Sequence, residues 1–207
     1  MNRRAMSTVR THFLAALLPL TLIAAGCSGA PAEEPPLAGA AIGGPFELVD
    51  SSGETVRWDD FAGQYRMVYF GYAYCPDVCP LDVQRMMRGY DQFKQAEPEL
   101  AAELQPIFIT IDPARDTPEV VGEFTSAFSD DLVGLTGTPE QIDKAAKAFA
   151  VYYGKGEVSE AGGYLMDHSR AAYLMDRDGK PLALLPVEKS AEDVAAKVHA
   201  VLAEQGL

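Results

Sequence analysis

Two cysteines stand where an apolar segment gives way to a helical pattern, and this junction constrains the fold more than any other feature of the chain. Cys75 and Cys79 form a CxxxC pair. Residues 65–72 before them read as a buried strand, and residues 105–111 predict a second one. Between the pair and the second strand, apolar residues recur with helical spacing, at Val83, Met86, Met87, Tyr90 and Phe93. The order predicts two parallel strands joined by a crossover helix.

The remaining pattern predicts a mixed α/β domain. Residues 46–50 and 54–57 are typical of a short hairpin, and a second hairpin is predicted around the turn at 176–179. Thr117, Thr138 and Ser190 are expected to cap three later helices; the first two each precede a proline. Thiols at the point where the first long strand meets its helix favour a thioredoxin-like fold. We therefore expect a mixed central sheet flanked by helices, with an N-terminal hairpin.

The first 26 residues have the features of an export signal. Three arginines precede an apolar run at 13–26, which is shorter than the roughly 20 residues that a membrane-spanning helix needs. The sequence Ile-Ala-Ala-Gly-Cys that ends at Cys27 resembles a bacterial lipoprotein processing site, although Ala24 stands where Leu is more usual. This predicts a signal peptide at 1–26, cleaved before Cys27, and acylation of Cys27. Ordinary secretion, with Cys27 as a spare thiol, is the alternative.

The segment after Cys27 predicts a linker. Residues 28–44 are nearly all Ala, Pro, Gly and Glu, with no period that would bury a face. We expect an acylated Cys27 and a flexible tether over 27–44 and a folded domain over 45–207. The domain would then be held by lipid on the non-cytoplasmic side of a membrane in the bacterial cell envelope. A net charge of −13 argues against a nucleic-acid partner, which would need a basic face.

The histidines bear on what the thiols do, because two thiolates alone seldom complete a metal site. A CxxxC pair can form a disulfide, reduce one, or bind a soft metal ion. His12 leaves with the signal, and His199 is predicted to be a partly exposed histidine of the last helix. His168 stands directly before a predicted strand, after a glycine-containing segment, 154–167, that is predicted to be a loop able to let His168 move. A single histidine is more often structural than a ligand, so the residues alone leave its role open.

Three motifs in order make a resemblance specific. They are Cys-Pro-Asp-Val-Cys-Pro at 75–80, Ile-Asp-Pro-Ala-Arg-Asp-Thr-Pro-Glu at 111–119 and Asp-His-Ser at 167–169. Together they resemble the Sco/SenC family of copper-binding, thioredoxin-like proteins, from about residue 45 to the C-terminus. The resemblance implies that Cys75, Cys79 and His168 bind one copper ion.

The resemblance also implies a function, the assembly of the dinuclear copper site of cytochrome c oxidase. The expected partners are a copper donor protein and the copper-bearing subunit of that oxidase. Two thiolates and one imidazole suit Cu(I), and they suit Cu(II) when further ligands or water join. Zinc also fits two cysteines, one histidine and a water, but the order of metal affinities favours copper.

An enzyme is the main alternative to a metal chaperone. A thiol–disulfide oxidoreductase that keeps the acceptor's cysteines reduced would use the same thiols, although related catalysts carry CxxC and a proline before the late strand. A peroxidase fits less well, since no basic group adjoins the pair in sequence. At the start of the helix, Cys79 is expected to be stabilised as a thiolate. Asp77, Asp112 and Asp167 are candidate hydrogen-bond acceptors for the ligands, and each also has a simpler structural explanation.

Overall fold

The computed structural model describes residues 34–159 and 162–205. The predicted signal segment, the predicted acylation site Cys27 and the first part of the predicted tether lie outside the described residues. Within these ranges no helix is both long enough and apolar enough to cross a membrane. The α-helices are α1 (Val78–Ala96), α2 (Pro98–Ala101), α3 (Pro118–Ser126), α4 (Pro139–Ala148) and α5 (Ala191–Ala203), and a 3-10 helix spans Trp58–Phe61.

The strands form one large sheet and one small one. In chain order they are β1 (Glu47–Asp50), β2 (Thr55–Arg57), β3 (Tyr65–Gly71), β4 (Leu104–Thr110), β5 (Val133–Thr136), β6 (Tyr153–Val158), β7 (Tyr164–His168), β8 (Ala172–Met175) and β9 (Pro181–Leu185). Seven of them pair in the order β2-β1-β5-β4-β3-β8-β9, with parallel and antiparallel neighbours. The other two, β6 and β7, pair with each other and with no further strand among the described residues.

The predicted strand–helix–strand unit is confirmed at the centre of the large sheet. Strand β3 is buried along its whole length and pairs in parallel with β4, from Tyr65 opposite Leu104 to Gly71 opposite Thr110. Because parallel strands end at the same edge of a sheet, the CxxxC loop after Gly71 and the loop after Thr110 emerge side by side. This edge carries the candidate site.

Local signals in the sequence are confirmed where they concern neighbouring residues. Hairpins join β1 to β2 and β8 to β9. The side chains of Thr117, Thr138 and Ser190 accept hydrogen bonds from backbone N–H groups in the first turns of α3, α4 and α5. Each such cap stabilises its helix by about 1 kcal/mol.

Helix α1 lies between the sheet and α5 and buries its apolar residues there. Its buried residues include Val83, Met86, Met87, Tyr90 and Phe93, as the helical spacing predicts. Gly89 lies where α1 meets α5, and a Cβ there would come within 2.7 Å of the Val194 side chain. The glycine therefore lets the two helices approach closely, which fixes the helix that carries Cys79 against the rest of the domain.

The end of the predicted tether is part of the folded domain. The Leu37 N–H donates to the Leu182 carbonyl at 3.0 Å, and the Gly43 N–H donates to the Ala148 carbonyl at 2.8 Å. Leu37 and Ile42 also pack against the core. The prediction of a flexible tether is therefore wrong for residues 34–44, because two apolar side chains and these backbone hydrogen bonds offset the entropy lost on ordering.

Most of the segment 154–167 before His168 lies in two paired strands rather than in the predicted loop. Strands β6 and β7 pair antiparallel, with Tyr153 opposite His168, and the register shifts between Lys155 and Val158. The glycines at 154 and 156 lower strand propensity, which is why the sequence indicated a loop. Cross-strand hydrogen bonds and contacts with the rest of the domain stabilise the strands instead.

Candidate metal centre

The two cysteines lie at the carboxyl edge of the sheet, where β3 turns into α1. The Cys75 N–H donates to the Tyr72 carbonyl at 3.2 Å, and the Cys79 N–H donates to the Cys75 sulfur at 3.3 Å. Both thiols are free; Cys75 is 8% exposed and Cys79 is fully buried. At Gly71, a Cβ would lie 3.3 Å from the Cys79 sulfur and 2.8 Å from the Tyr69 ring, so the close approach of this strand requires glycine.

His168 lies against the cysteines although 89 residues separate it from Cys79. Its Nε2 is 3.2 Å from the Cys79 sulfur, and its Nδ1 is 2.9 Å from the Ser169 carbonyl oxygen. Because a carbonyl oxygen can only accept, Nδ1 carries the proton of the neutral ring. The lone pair of Nε2 then faces the sulfur. A ring protonated at Nδ1 is the tautomer that can bind a metal ion through Nε2.

The three predicted donors are thus neighbours without forming a ready-made cage. Cys75 and His168 line one open cavity, together with Tyr72, Pro76 and other residues, and Cys79 lies buried beside them. Within residues 34–159 and 162–205, no three His, Cys, Asp or Glu side chains are already grouped as metal ligands. The donors would therefore have to move to contact a common ion.

Two tyrosine rings orient the imidazole. Tyr69 and Tyr72 meet His168 edge to face, with ring centroids 6.4 and 6.0 Å away and interplanar angles of 89° and 87°. Burial among these groups lowers the pKa of His168 from its ordinary value of 6.5. The ring is therefore neutral near pH 7, and its nitrogen remains available as a ligand.

The expected thiolate at Cys79 is not favoured in the metal-free protein. Burial, followed by a hydrogen bond with the Cys75 side chain, raises the pKa of Cys79 above its ordinary value of 9.0. The prediction is wrong because removing the sulfur from water outweighs the favourable field at the start of α1. A bound cation would supply the positive charge that this buried thiolate lacks.

Cys79 is therefore expected to alkylate slowly in the folded, copper-free chain. At pH 8, iodoacetamide should modify it at least about 100-fold more slowly than in the urea-unfolded chain, because the thiolate is the nucleophile. Fragmentation mass spectrometry that separates Cys75 from Cys79 measures both rates. Equal rates in folded and unfolded protein would show that the helix start already favours the thiolate.

An ion pair between a buried carboxylate and a partly exposed arginine, which the sequence did not indicate, joins the two halves of the site. Asp82, three residues after Cys79 on α1, is fully buried and accepts two hydrogen bonds from Arg170, at 2.9 and 2.7 Å. The Tyr69 hydroxyl donates to the same carboxylate at 3.1 Å. Arg170 follows His168 by two residues, so this pair holds the end of β7 against α1. The i, i+3 spacing of Cys79 and Asp82 was visible in the sequence, but their partners were not.

The three candidate acceptor carboxylates do not contact the predicted ligands through any hydrogen bond of the described residues. Asp77 precedes α1 without making a side-chain cap, and Asp167 is exposed. Asp112 instead accepts from Arg115 and from the Tyr164 hydroxyl. A structural role for each of these carboxylates therefore fits better than a role in accepting hydrogen bonds from the ligands.

His199 lies on the surface of α5 with its Nε2 3.3 Å from Glu97, as expected for a histidine outside the site.

Asp116, a buried carboxylate, accepts from the Ala73 N–H at 2.8 Å and from the Thr110 hydroxyl at 2.6 Å. It thereby fixes the first turn of the CxxxC loop to the end of β4.

Sequence comparisons place the chain among known proteins. The profile of the SCO1/SenC family matches residues 34–203. The human mitochondrial SCO1 homolog is 39% identical over 157 residues, which are 76% of this chain and 52% of that protein. Protein SenC of Rhodobacter capsulatus is 47% identical over 142 residues, 67% of this chain and 61% of SenC. The chain thus aligns with between half and two thirds of the length of these relatives.

Solved structures agree with the fold. Arabidopsis thaliana ScoI with copper bound has a TM-score of 0.73 and 33% identity, covering 79% of this chain and 99% of that structure. Bradyrhizobium japonicum ScoI with copper bound has a TM-score of 0.69 and 35% identity, covering 77% and 99%. The thioredoxin-like fold expected from the sequence is confirmed, with a mixed central sheet flanked by helices. The chain belongs to the SCO1/SenC family.

Proposed function

We propose that the chain is a copper chaperone that binds one copper ion through Cys75, Cys79 and His168. The observation that carries the proposal is the 3.2 Å approach of the His168 Nε2 to the Cys79 sulfur, with the nitrogen lone pair directed at it. Two sulfurs and one nitrogen favour Cu(I), and the affinity order favours copper over zinc. The copper-bound ScoI structures of Arabidopsis and Bradyrhizobium support copper as the cargo.

The acceptor proposed is the copper-bearing subunit of cytochrome c oxidase, loaded by a separate copper donor protein. This part rests on the family resemblance. The different burial of the three donors suggests an order of release: Cys75 and His168 line the open cavity, whereas Cys79 is fully buried. Ligands of an acceptor would therefore replace His168 and Cys75 first and Cys79 last, so the ion is never without ligands.

The anchor is proposed from the sequence alone. The apolar run and the Ile-Ala-Ala-Gly-Cys sequence that ends at Cys27 support export, cleavage and acylation of that cysteine. The domain would then act from the membrane surface of the bacterial cell envelope. A Cys27→Ser variant that stays in the membrane fraction would remove the lipid anchor from the proposal.

The oxidoreductase alternative gains no support from the geometry around Cys79. Thiol exchange needs an accessible thiolate, and burial raises the pKa of this thiol. Rapid turnover of a dithiol with a protein disulfide substrate would nevertheless favour the enzyme over the chaperone.

The ligand set is tested by Cu(I) competition. The reduced full-length chain is expected to bind one Cu(I) per molecule, and His168→Ala to weaken binding by at least about 100-fold. The loss should exceed the roughly 10- to 100-fold seen when only a hydrogen-bond partner of a metal ligand is removed. His199→Ala is the matched control and should keep the affinity. No stoichiometric binding, or undiminished binding by His168→Ala, would reject the site.

A further inference from the structure

The hairpin that carries His168 is attached to the domain mainly through side chains. Strands β6 and β7 pair with each other and with no strand of the seven-stranded sheet, as far as the described residues show. A backbone ladder therefore does not fix the distance from His168 to the cysteines. Side-chain contacts along β7, including those at its two ends, must do so.

One of these contacts is the Arg170–Asp82 pair just after β7, and the other is built around Arg115 at the start of β7. The Arg115 Nη1 donates to the Tyr164 carbonyl at 2.9 Å, and its guanidinium stacks 3.7 Å from the centre of the Tyr164 ring. Both groups also bind Asp112, Arg115 through Nε at 2.5 Å and Tyr164 through its hydroxyl at 3.0 Å. The three side chains form a closed cluster, which we call the Arg115 clamp.

The Arg115 clamp also reaches the cysteine loop. The guanidinium lies 5.3 Å from the ring of Tyr74 and 5.6 Å from that of Tyr72, which are within the range of cation–π attraction. The Tyr72 ring in turn contacts His168, and its hydroxyl accepts from the Met166 N–H of β7 at 3.3 Å. One cation thus touches both parts of the candidate metal site, the loop before Cys75 and the strand before His168.

The two ends of β7 are not held equally. Arg170 uses Nε and Nη2 together on a fully buried carboxylate. At the other end, the Nη2 of Arg115 is buried without an acceptor within the described residues. A buried donor without a partner weakens the net contribution of a contact. The Arg115 end is therefore held with one of its donors unpaired in the described part of the chain.

We propose that Arg115 is a positioning residue for His168. By holding Tyr164 through Asp112 and by stacking on its ring, Arg115 keeps β7 closed over the cysteines and thereby slows the loss of copper. Opening of the Arg115 clamp lets β7 move away with His168 and leaves the ion on Cys75 and Cys79. This inference rests on the proposed function, because it takes His168 as a copper ligand.

The test measures the rate at which the full-length chain, loaded with Cu(I), yields its ion to a chromogenic chelator. Arg115→Ala is expected to raise the dissociation rate by about 10-fold, by analogy with the loss of groups that orient a metal ligand. Arg115→Lys should behave like Arg115→Ala. Lysine keeps the positive charge, but it lacks the forked N–H donors of the guanidinium and its planar stack on the tyrosine ring. In the Cu(II) form, both variants should weaken the imidazole nitrogen couplings in the electron paramagnetic resonance spectrum.

A matched control and a double-mutant cycle separate positioning from general damage. Arg177 also pairs with a carboxylate, Glu103, and stacks on a tyrosine, Tyr65, but at the opposite end of β3. Arg177→Ala should leave the copper dissociation rate unchanged. In a His168→Ala background, Arg115→Ala should add little, since the ligand that it positions is gone.

Four results would contradict the inference. An equal acceleration by Arg115→Ala with and without His168 would show that Arg115 does not act through the histidine. A normal loss of affinity in His168→Ala with no effect of Arg115→Ala would reject the positioning role alone. Undiminished affinity in His168→Ala would reject the ligand set and, with it, this role. If Arg115→Ala does not fold, Tyr164→Leu removes the stack from the other side and should give the same 10-fold acceleration, and an unchanged rate in that variant would reject the role of the clamp.

Discussion

Replacement of Cys79 by serine is expected to lower the Cu(I) affinity of the reduced chain by at least about 1000-fold. Cys79 is the fully buried donor, and it contacts both other predicted ligands, His168 through its sulfur and Cys75 through its N–H. A serine hydroxyl is a hard, neutral donor that leaves one soft sulfur for the ion. Competition against a Cu(I)-specific chelator under exclusion of oxygen measures the affinity.

The sulfur of Met166, in the cavity beside Cys79, provides the control for this prediction. Met166 lines the cavity with Cys75 and His168, yet its place on β7 is more typical of packing than of ligation. Met166→Leu should therefore keep the Cu(I) affinity within about 3-fold. If Met166→Leu lost as much as Cys79→Ser, a thioether would belong to the site. Affinity retained by Cys79→Ser would exclude the proposed ligand set.

Arg170→Ala is expected to lower the free energy of unfolding by about 2 kcal/mol, because it removes the main partner of the buried Asp82 carboxylate, while the Arg170 side chain is itself 41% exposed. The Asp82 side chain is fully buried, and among the described residues the Tyr69 hydroxyl and the Arg85 Nη1, 3.7 Å away, remain to compensate it. We place the effect below the range for fully buried pairs because Arg170 is partly exposed and Arg85 is close. Urea unfolding of the reduced, copper-free chain measures it.

The cause of this loss can be isolated in a mutant cycle. In an Asp82→Asn background the buried charge is absent, so Arg170→Ala should cost less than about 1 kcal/mol. Arg57→Ala provides a surface comparison, since its pair with Glu47 at 3.0 Å is more than half exposed on both sides and should contribute at most about 1 kcal/mol. An effect of Arg170→Ala as small as that of Arg57→Ala would show that Asp82 finds other compensation.

The two cysteines of the candidate site could be assigned from the sequence directly, whereas the distant His168 could be assigned only through the family resemblance. The CxxxC pair identified itself by its place after an apolar strand. His168 stood out by its motif, while its 3.2 Å approach to Cys79 came from the fold. Beside the predicted ligands, Asp82 and Arg170 carried no usable signal, because each is an ordinary charged residue until its partner is known. Arg115 lay within the second motif, but its contacts with Tyr164 and the cysteine loop came from the fold.

Sequence alone determined the features that depend on neighbouring residues. The parallel strands around α1, the caps at Thr117, Thr138 and Ser190, and the cysteines at the strand–helix junction all follow from periodicity and local hydrogen bonding. Tertiary structure alone decided that two paired strands, β6 and β7, precede and include His168 and that the thiol of Cys79 is disfavoured as a thiolate. Strand pairing of a glycine-containing segment and the desolvation of a sulfur are set by groups far away in the chain, and their energies exist only once the core has formed.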